Sequence, residues 1–307
     1  MASRPDRATE DDAEAVPSIE ATPETEQLQN EDGLRDAVHP RNSLNALTGR
    51  EWLYFTKTVL KTSYPSILGH DLRKKQGGNK PPQLMQHIIE FFTKPEGLVL
   101  DPFAGAGGTM LGAHLAGRRS VGIEINPRSV EIYQEVCRRQ GLEPHPIHVG
   151  DCAEVLADFE DESFDLVATD PPYSIRLKQT MSGESANARY NRQNRKSAYV
   201  EYSADERDLS NLESFEAYFA ALQAVGVELY RVLKQGCYLV MIIRDAYQNG
   251  EYIPSGYRVA EDMRQVGFRL KGIKVWYATG TRIRPYGYPF SYVPNITHQN
   301  ILILRKE

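Results

Sequence analysis

The chain has 307 residues, of which 41% are hydrophobic and 25% are charged, a composition typical of a globular protein with a substantial core. No apolar run approaches the roughly 18 residues that a membrane-spanning helix needs, and no basic-then-apolar signal pattern opens the chain. The cysteines are few, odd in number and widely spaced, which excludes a disulfide framework and a CxxC metal pair and makes the cytoplasm the expected compartment.

The net charge of −5 is unevenly distributed along the chain. Residues 1–40 contain eleven acidic and three basic side chains, which leaves residues 41–307 with a net charge of +3. Residues 1–42 show no apolar periodicity and cannot bury enough surface to offset their ordering entropy, so we expect a disordered acidic tail there. The mildly basic remainder is compatible with a polyanionic partner.

Apolar side chains between Trp52 and Leu60 recur at helical spacing, and an amphipathic helix is predicted at 83–93. Strands and helices then alternate, as a doubly wound α/β sheet requires. Strands are predicted at 98–101, 121–124, 146–149, 164–169, 237–243, 269–277 and 299–305. Helices are predicted at 109–116, 127–139, 153–159, 215–233 and 257–265. We therefore expect residues 43–307 to form one domain around a seven-stranded sheet, with insertions at 174–210 and 278–298.

A glycine-rich turn, DPFAGAG at 101–107, follows the first of these strands. Glycines allow the backbone to approach a ligand closely, and the absence of a following GK[ST] excludes a P-loop. Glu124 ends the next strand, where a carboxylate can accept hydrogen bonds from ribose hydroxyls, and Asp151 follows the third strand, where it can accept from an adenine amine. Nucleoside recognition without a phosphate-binding element favours S-adenosylmethionine over a dinucleotide. The alternative is a structural turn with two capping acids.

The sequence Asp170-Pro171-Pro172-Tyr173 follows the strand at 164–169. Its prolines fix φ and donate no hydrogen bonds, so the carboxylate of Asp170 and the carbonyl of Pro171 can both accept from one exocyclic amino group. Tyr173 offers a face on which an extruded base can stack. Because ligands of such sheets bind beyond the carboxyl ends of the strands, we expect DPPY and the glycine turn to form two halves of one site. The alternative is an ordinary proline-rich turn.

DPFAGAGG at 101–108, VGIEINP at 121–127 and DPPY at 170–173 together resemble the amino-methyltransferases of DNA, the adenine-N6 and cytosine-N4 enzymes. The resemblance covers roughly residues 80–307. It implies a Rossmann-like methyltransferase fold with a mostly parallel seven-stranded sheet and an antiparallel last strand, S-adenosylmethionine as the donor, and catalysis by the DPPY residues. Lys80 would lie beside the methionine end of the donor. The implied cofactor contacts are Lys80, Asp101, Phe103, Gly105, Gly107, Glu124 and Asp151.

No separate target-recognition domain remains once the sheet is counted, so the two insertions are expected to contact nucleic acid. The basic segment 73–80 fits two interpretations equally, a solvated loop or a basic lip over the cofactor or nucleic acid. Arginine and lysine would neutralise phosphates, and the target base would have to leave the double helix. The aromatic side chains of the second insertion could equally form a satellite core. The candidate contacts with double-stranded DNA are Arg176, Lys178, Arg189, Arg192, Arg195 and Lys196 in the first insertion and Arg282 and Arg284 in the second.

The expected activity is methylation of adenine N6 in DNA, because relatives with Asp at the first DPPY position more often modify adenine. The site would also accept cytosine N4, and a second enzyme hypothesis is an RNA guanine-N2 methyltransferase, since such relatives also use DPPY. A catalytically silent partner subunit that binds nucleic acid is the alternative of another class, and the intact Asp170, Tyr173, Gly105 and Gly107 argue against it. The histidines have no metal-ligand spacing, so no metal is expected.

Overall fold

The structure, a computed structural model, describes residues 36–74, 80–172, 203 and 205–307. Its helices are α1 (Gly49–Phe55), α2 (His70–Arg73), α3 (Pro82–Phe92), α4 (Gly108–Ala116), α5 (Pro127–Gln140), α6 (Cys152–Leu156), α7 (Phe215–Val232) and α8 (Ser255–Val266), with a 3-10 turn at Leu209–Asn211. Its strands are β1 (Val59–Lys61), β2 (Leu98–Asp101), β3 (Arg119–Glu124), β4 (Ile147–Val149), β5 (Phe164–Thr169), β6 (Leu233–Ile243), β7 (Ala246–Gln248), β8 (Glu251–Ile253), β9 (Arg269–Tyr277) and β10 (His298–Arg305). None of the helices in these ranges combines the length and the apolar composition needed to cross a bilayer.

All seven predicted strands lie in one sheet, in the spatial order β1-β9-β10-β6-β5-β2-β3-β4. The last strand, β10, runs antiparallel to both β9 and β6, and the other neighbouring pairs are parallel. The predicted α/β class and the mostly parallel sheet with an antiparallel last strand are therefore confirmed. The central strands β2 and β5 are almost entirely buried, which explains why their sequences are continuous apolar runs.

An eighth strand, β1, extends the sheet at one edge and corrects the predicted helical repeat between Trp52 and Leu60. Helix α1 begins at a capping box between Thr48 and Glu51 and ends at Phe55, and β1 then pairs in parallel with the end of β9. The ammonium of Lys274, on β9, donates to the carbonyls of Phe55 and Lys57. These contacts come from a strand more than two hundred residues away, so local periodicity could not predict the three-residue strand.

Helices cover both faces of the sheet. On one face, Leu84 and Ile88 of α3 pack with Val99 of β2. On the other, Leu229 of α7 and Met263 of α8 lie in the core cluster that also contains strand residues of β5 and β6. This doubly wound arrangement leaves the loops after the parallel strands together at one edge of the sheet, where the predicted site residues lie.

The predicted tail, 1–42, is described only from residue 36, where Asp36 pairs with the exposed Arg50 at 2.9 Å. The first predicted insertion, 174–210, is described at 203 and from 205 onward. The second, 278–298, connects β9 to β10 and contains neither helix nor strand before His298.

Candidate functional site

A cavity of about 340 Å³ opens at the carboxyl ends of β2, β3 and β5. This volume lies within the usual range for small-molecule sites, roughly 300–1,000 Å³. The loops after both predicted motifs contribute to its wall, so the expectation that they form two halves of one site agrees with the geometry. The predicted site residues that line the cavity are Lys80, Asp101, Phe103, Gly105, Glu124, Asp151, Asp170, Pro171 and Pro172.

The two halves meet because β2 and β5 are hydrogen-bonded parallel neighbours, with Leu100 opposite Val167. Asp101 ends β2, and its carboxylate accepts from the hydroxyls of Thr169 and Thr109, each at 2.5 Å, and from the amide of Phe103 at 3.0 Å. Burial raises the pKa of Asp101, while these three donors oppose the rise. Asp101 thus organises the glycine turn and ties it to the end of β5.

The two glycines of the turn have different surroundings. Gly105 has φ +52°, lines the cavity, and would place a Cβ in open space with no atom of the described residues within 4 Å. Gly107 has φ +78° and precedes α4, and a Cβ there would lie 2.2 Å from the ring of Tyr133. Gly107 is not among the cavity-lining residues in the described part of the chain, so the structure shows a packing position for it, and its contact with the cofactor stays a prediction.

Glu124 and Asp151 are both bonded to backbone amides. Glu124 accepts from the amide of Gly105 at 2.7 Å and from that of Asn126 at 2.8 Å, and burial raises its pKa to about 7. Asp151 caps α6 by accepting from the amides of Ala153 and Glu154 through one oxygen. Because each carboxylate oxygen has two lone pairs, both side chains retain acceptor capacity toward the cavity.

Asp170 forms a buried ion pair that sequence reasoning did not predict. Its Oδ2 lies 2.5 Å from the ammonium of Lys80, and the side chains of Asp170 and Lys80 are 13% and 6% exposed, respectively. The other oxygen, Oδ1, is buried and has no hydrogen-bond donor in the described part of the chain. Burial raises the pKa of Asp170 to about 6, the charge of Lys80 lowers it, and Asp101 raises it further. A buried acceptor without a donor is costly, and it lies here on the wall of the cavity.

The end of the first predicted insertion forms a further part of the wall that the sequence motifs missed, through Arg207, Asp208, Leu209 and the following Leu212. Asp208 is buried and caps the 3-10 turn through the amide of Ser210 at 2.8 Å, and burial raises its pKa. Arg207 bridges to Glu154 on α6 at 2.9 Å. The only signal was the acid-rich end of a long insertion, which is not specific enough to place a residue at a cavity.

The predicted nucleic-acid contacts fall into two groups. Arg282 and Arg284 are exposed on the connection between β9 and β10, and Phe290 and Tyr292 on the same connection are 81% and 86% exposed. The aromatic side chains are therefore not a satellite core. Since β9 and β6 are both antiparallel to β10, β9 ends at the same edge of the sheet as β5, three positions away in the strand order. The residues outside the described part are Tyr173, Arg176, Lys178, Arg189, Arg192, Arg195 and Lys196.

No group of three or more His, Cys, Asp or Glu side chains that could hold a metal ion occurs in the described ranges. Three features match a small nucleoside ligand without phosphates: the open space at Gly105, the acceptors Glu124 and Asp151, and the buried Asp170 Oδ1, to which no described residue donates. The residues present therefore fit the adenosine portion of S-adenosylmethionine together with an amino group to be modified.

Comparison with known proteins supports the same class. A family model described as "Methyltransferase domain" matches residues 93–265, more than half of the chain, and one described as "DNA methylase" matches residues 16–135. The predicted resemblance to the amino-methyltransferases of DNA is thereby confirmed.

The curated relatives match shorter stretches. A tRNA (guanine(10)-N2)-dimethyltransferase of Pyrococcus abyssi is 32% identical over 30% of this chain and 28% of its own. The type II methyltransferase M.HindIII of Haemophilus influenzae is 44% identical over 21% of this chain and 20% of its own. The matched stretches thus span less than a third of these relatives.

Among solved structures, a putative DNA modification methylase from Thermus thermophilus, complexed with S-adenosyl-L-methionine, is 26% identical, covers 52% of this chain and 54% of its own, and has a TM-score of 0.35. TrmN from Thermus thermophilus is 12% identical, covers 77% of this chain and 52% of its own, and has a TM-score of 0.49. Neither overall superposition is close enough to carry an argument about substrate. The family model that spans most of the sheet does assign the class: this chain belongs to the methyltransferase domain family.

Proposed function

We propose that the chain methylates an exocyclic amine of a base extruded from double-stranded DNA, with adenine N6 as the first target. One observation carries this proposal: Asp170 Oδ1 is a buried acceptor on the wall of the cavity to which no residue of the described ranges donates. An incoming amino group would supply the missing donor. The match to the "DNA methylase" model and the type II methyltransferase relatives favour DNA as the substrate.

The DPPY segment would orient the amine. Asp170 Oδ1 and the carbonyl of Pro171 would each accept one N–H, which leaves the nitrogen lone pair free to attack. Pro172 has no amide hydrogen to compete for these acceptors, and its ring restricts the backbone. S-adenosylmethionine, when bound, supplies a methyl group on a positively charged sulfur. Tyr173 would stack on the extruded base.

Cofactor binding would fall to the turn and the two acids that face the same cavity. Gly105 leaves room for close backbone approach, Glu124 would accept from ribose hydroxyls, and Asp151 would accept from the adenine amine. Asp208, which lines the same cavity, adds a further acceptor from the end of the first predicted insertion.

The exposed arginines would hold the DNA backbone. Arg282 and Arg284 are exposed on the same connection as exposed aromatic rings, a composition suited to phosphates and to unstacked bases. The first insertion, with its six basic residues directly after DPPY, would supply the remaining contacts.

A second candidate is methylation of guanine N2 in RNA. It is favoured by the two tRNA (guanine(10)-N2)-dimethyltransferases, from Pyrococcus abyssi and Methanothermobacter thermautotrophicus, that are 32% identical over about a third of this chain. The guanine amine would use the same two acceptors, so the clamp alone does not choose between the substrates.

The test is incubation of the full chain with methyl-labelled S-adenosylmethionine and either unmethylated genomic DNA or unmodified tRNA. We expect label in DNA, recovered as N6-methyladenine after digestion to nucleosides, and a loss of at least about 100-fold in rate with Asp170→Asn, which replaces one acceptor oxygen by a donor. Label in cytosine would identify cytosine N4 as the target instead of adenine N6. Label in tRNA alone would support methylation of guanine N2 in RNA. Label in neither substrate, with S-adenosylmethionine still bound, would favour a silent partner subunit.

A further inference from the structure

Lys80 contacts a catalytic group rather than only the cofactor region that the sequence resemblance implied. It precedes α3 and lies ninety residues before Asp170 in the chain, yet its ammonium lies 2.5 Å from Asp170 Oδ2. The side chains of Lys80 and Asp170 are both largely buried, and both residues line the cavity. Such a short contact in a low-dielectric setting is a strong charge-assisted interaction.

The position of Lys80 is set by its backbone as well as by this ion pair. The fully buried guanidinium of Arg73 donates to the carbonyl of Lys80 at 2.6 Å. Gly108, at the start of α4, packs so closely that a Cβ there would lie 3.2 Å from the same carbonyl. The lysine backbone is therefore held between two elements, and its side chain extends toward the end of β5.

The charges around Asp170 explain why this contact matters. Desolvation and the neighbouring carboxylate of Asp101 both oppose ionisation of Asp170, and the charge of Lys80 favours it. A protonated carboxyl group would carry a hydrogen on one oxygen and would offer a weaker, differently oriented acceptor to the amine. The contact of Lys80 with Oδ2 favours the ionised form of Asp170, and Oδ1 accepts from no residue of the described ranges.

We propose that Lys80 is a positioning residue that keeps Asp170 ionised and assigns its two oxygens, Oδ2 to the lysine and Oδ1 to the target amine. This inference rests on the proposed amine-methylating function. It differs from the role expected from sequence, in which Lys80 binds the methionine end of the donor. When the lysine charge is removed, the positioning role predicts a higher pKa of Asp170, whereas the donor-binding role predicts a lower affinity for S-adenosylmethionine.

The experiment compares Lys80→Met and Lys80→Arg with a matched control, Lys234→Met. Lys234 pairs with Asp165 at 2.6 Å, at the opposite end of the same strand β5, so the control removes a lysine–aspartate pair that does not touch the cavity. The pKa of Asp170 is measured by carbon-13 NMR of the side-chain carboxyl in aspartate-labelled protein, assigned with Asp170→Asn. The affinity for S-adenosylmethionine is measured by calorimetry, and methyl transfer is measured as a function of pH.

Lys80→Met is expected to raise the pKa of Asp170 by about 1–3 units, the usual effect of an adjacent opposite charge. The acidic limb of the rate profile should move upward by a similar amount, with kcat reduced and the dissociation constant of S-adenosylmethionine changed by less than about threefold, or roughly 0.7 kcal/mol. In Lys80→Arg, the pKa of Asp170 should stay close to its value in the unaltered chain. Lys234→Met should change neither this pKa nor the rate profile. If Lys80→Met does not fold, Lys80→Gln removes the same charge and is judged by the same shift.

An unchanged pKa of Asp170 in the charge-removing variant would overturn the inference, whatever happens to activity. A pKa that stays constant while cofactor affinity falls by about tenfold, or roughly 1.4 kcal/mol, would establish the role expected from sequence instead. The NMR titration needs no substrate, so it separates the two proposals. Absence of methyl transfer by the unaltered chain would count against the proposed function, whereas transfer without a pKa shift would count against this inference alone.

Discussion

Thr169 donates its hydroxyl hydrogen to Asp101 across the two central strands, at an oxygen–oxygen distance of 2.5 Å. Thr169 is the last residue of β5 and Asp101 is the last residue of β2, and both side chains are buried. The bond therefore joins the two strand ends at which the two halves of the cavity begin. It sets the separation between the glycine turn and the DPPY segment.

Replacing Thr169 with Val keeps the side-chain shape and removes this donor. We expect the free energy of unfolding to fall by about 1–3 kcal/mol, because a buried carboxylate oxygen loses a partner. Urea denaturation measures the change. As a control, Thr281→Val removes an exposed hydroxyl that bonds the carbonyl of Ala278, and it should change stability by less than about 0.5 kcal/mol. Equal effects of the two variants would contradict the role given to the buried bond.

The two glycines of the cofactor turn should respond differently to the same added methyl group. Gly107→Ala places a Cβ against the ring of Tyr133 and in a left-handed conformation, so we expect a loss of about 3 kcal/mol or more in unfolding free energy. Gly105→Ala meets no atom of the described residues and should cost only about 1–2 kcal/mol from its positive φ.

The loss of affinity for S-adenosylmethionine should follow the opposite order: in the folded state, Gly105→Ala should weaken binding more than Gly107→Ala. The methyl group of Gly105→Ala enters the cavity, and we expect its dissociation constant to rise by at least about tenfold. Calorimetry at a temperature where both variants are folded provides the measurement. If Gly107→Ala weakened binding as strongly as Gly105→Ala while remaining as stable as the unaltered chain, the assigned packing role of Gly107 would be wrong.

Glu124 should make folding stability depend on pH in an unusual direction for a carboxylate. Burial raises its pKa to about 7 from an ordinary value of 4.5, so the folded chain holds a proton that the unfolded chain has already released. The free energy of unfolding should therefore fall as the pH rises from 4.5 to about 7, by up to about 1.4 kcal/mol per pH unit for one full proton.

Glu124→Gln should flatten this dependence, because the amide has no proton to lose. The comparison is best made between pH 6 and 7, since the pKa of Asp170 is about 6 and its titration adds a decline of the same sign at lower pH. Urea titrations of both proteins across this interval provide the measurement. Parallel curves for the variant and the unaltered chain would show that Glu124 is already ionised in the folded state.

Arg282 and Arg284 should contribute to DNA affinity through phosphate contacts. Each Arg→Ala substitution is expected to weaken binding on all sequences alike and to reduce the slope of log affinity against log salt by about 1. Unfolding free energy should not change, because both side chains are exposed. Arg264→Ala, which removes an exposed arginine on α8, serves as the control. An unchanged salt slope in both loop variants would remove this loop from the DNA interface.

Much of the fold was predictable because its signals are local. Buried parallel strands such as β2 and β5 read as short apolar runs, and the acids and glycines that follow them mark the ends where a ligand binds. The positions of Asp101, Gly105, Glu124 and Asp170 along the chain followed from these signals, and all four line the cavity.

Other features depended on partners that are distant in sequence. The strand β1 exists because β9 offers it an edge, and Asp208 lies in a segment in which Arg207 bridges to Glu154 on α6. The two members of each pair are far apart in the sequence. Local periodicity and propensity therefore could not predict that they are in contact.

The sequence by itself determined which residue types stand at the ends of the central strands, and thereby the class of chemistry. Only the tertiary structure decided which oxygen of Asp170 faces Lys80 and which remains for a substrate, and which glycine borders the cavity rather than Tyr133. The physical reason is that motifs specify chemical groups, whereas ionisation and acceptor geometry depend on burial and on charges brought together from positions up to ninety residues apart.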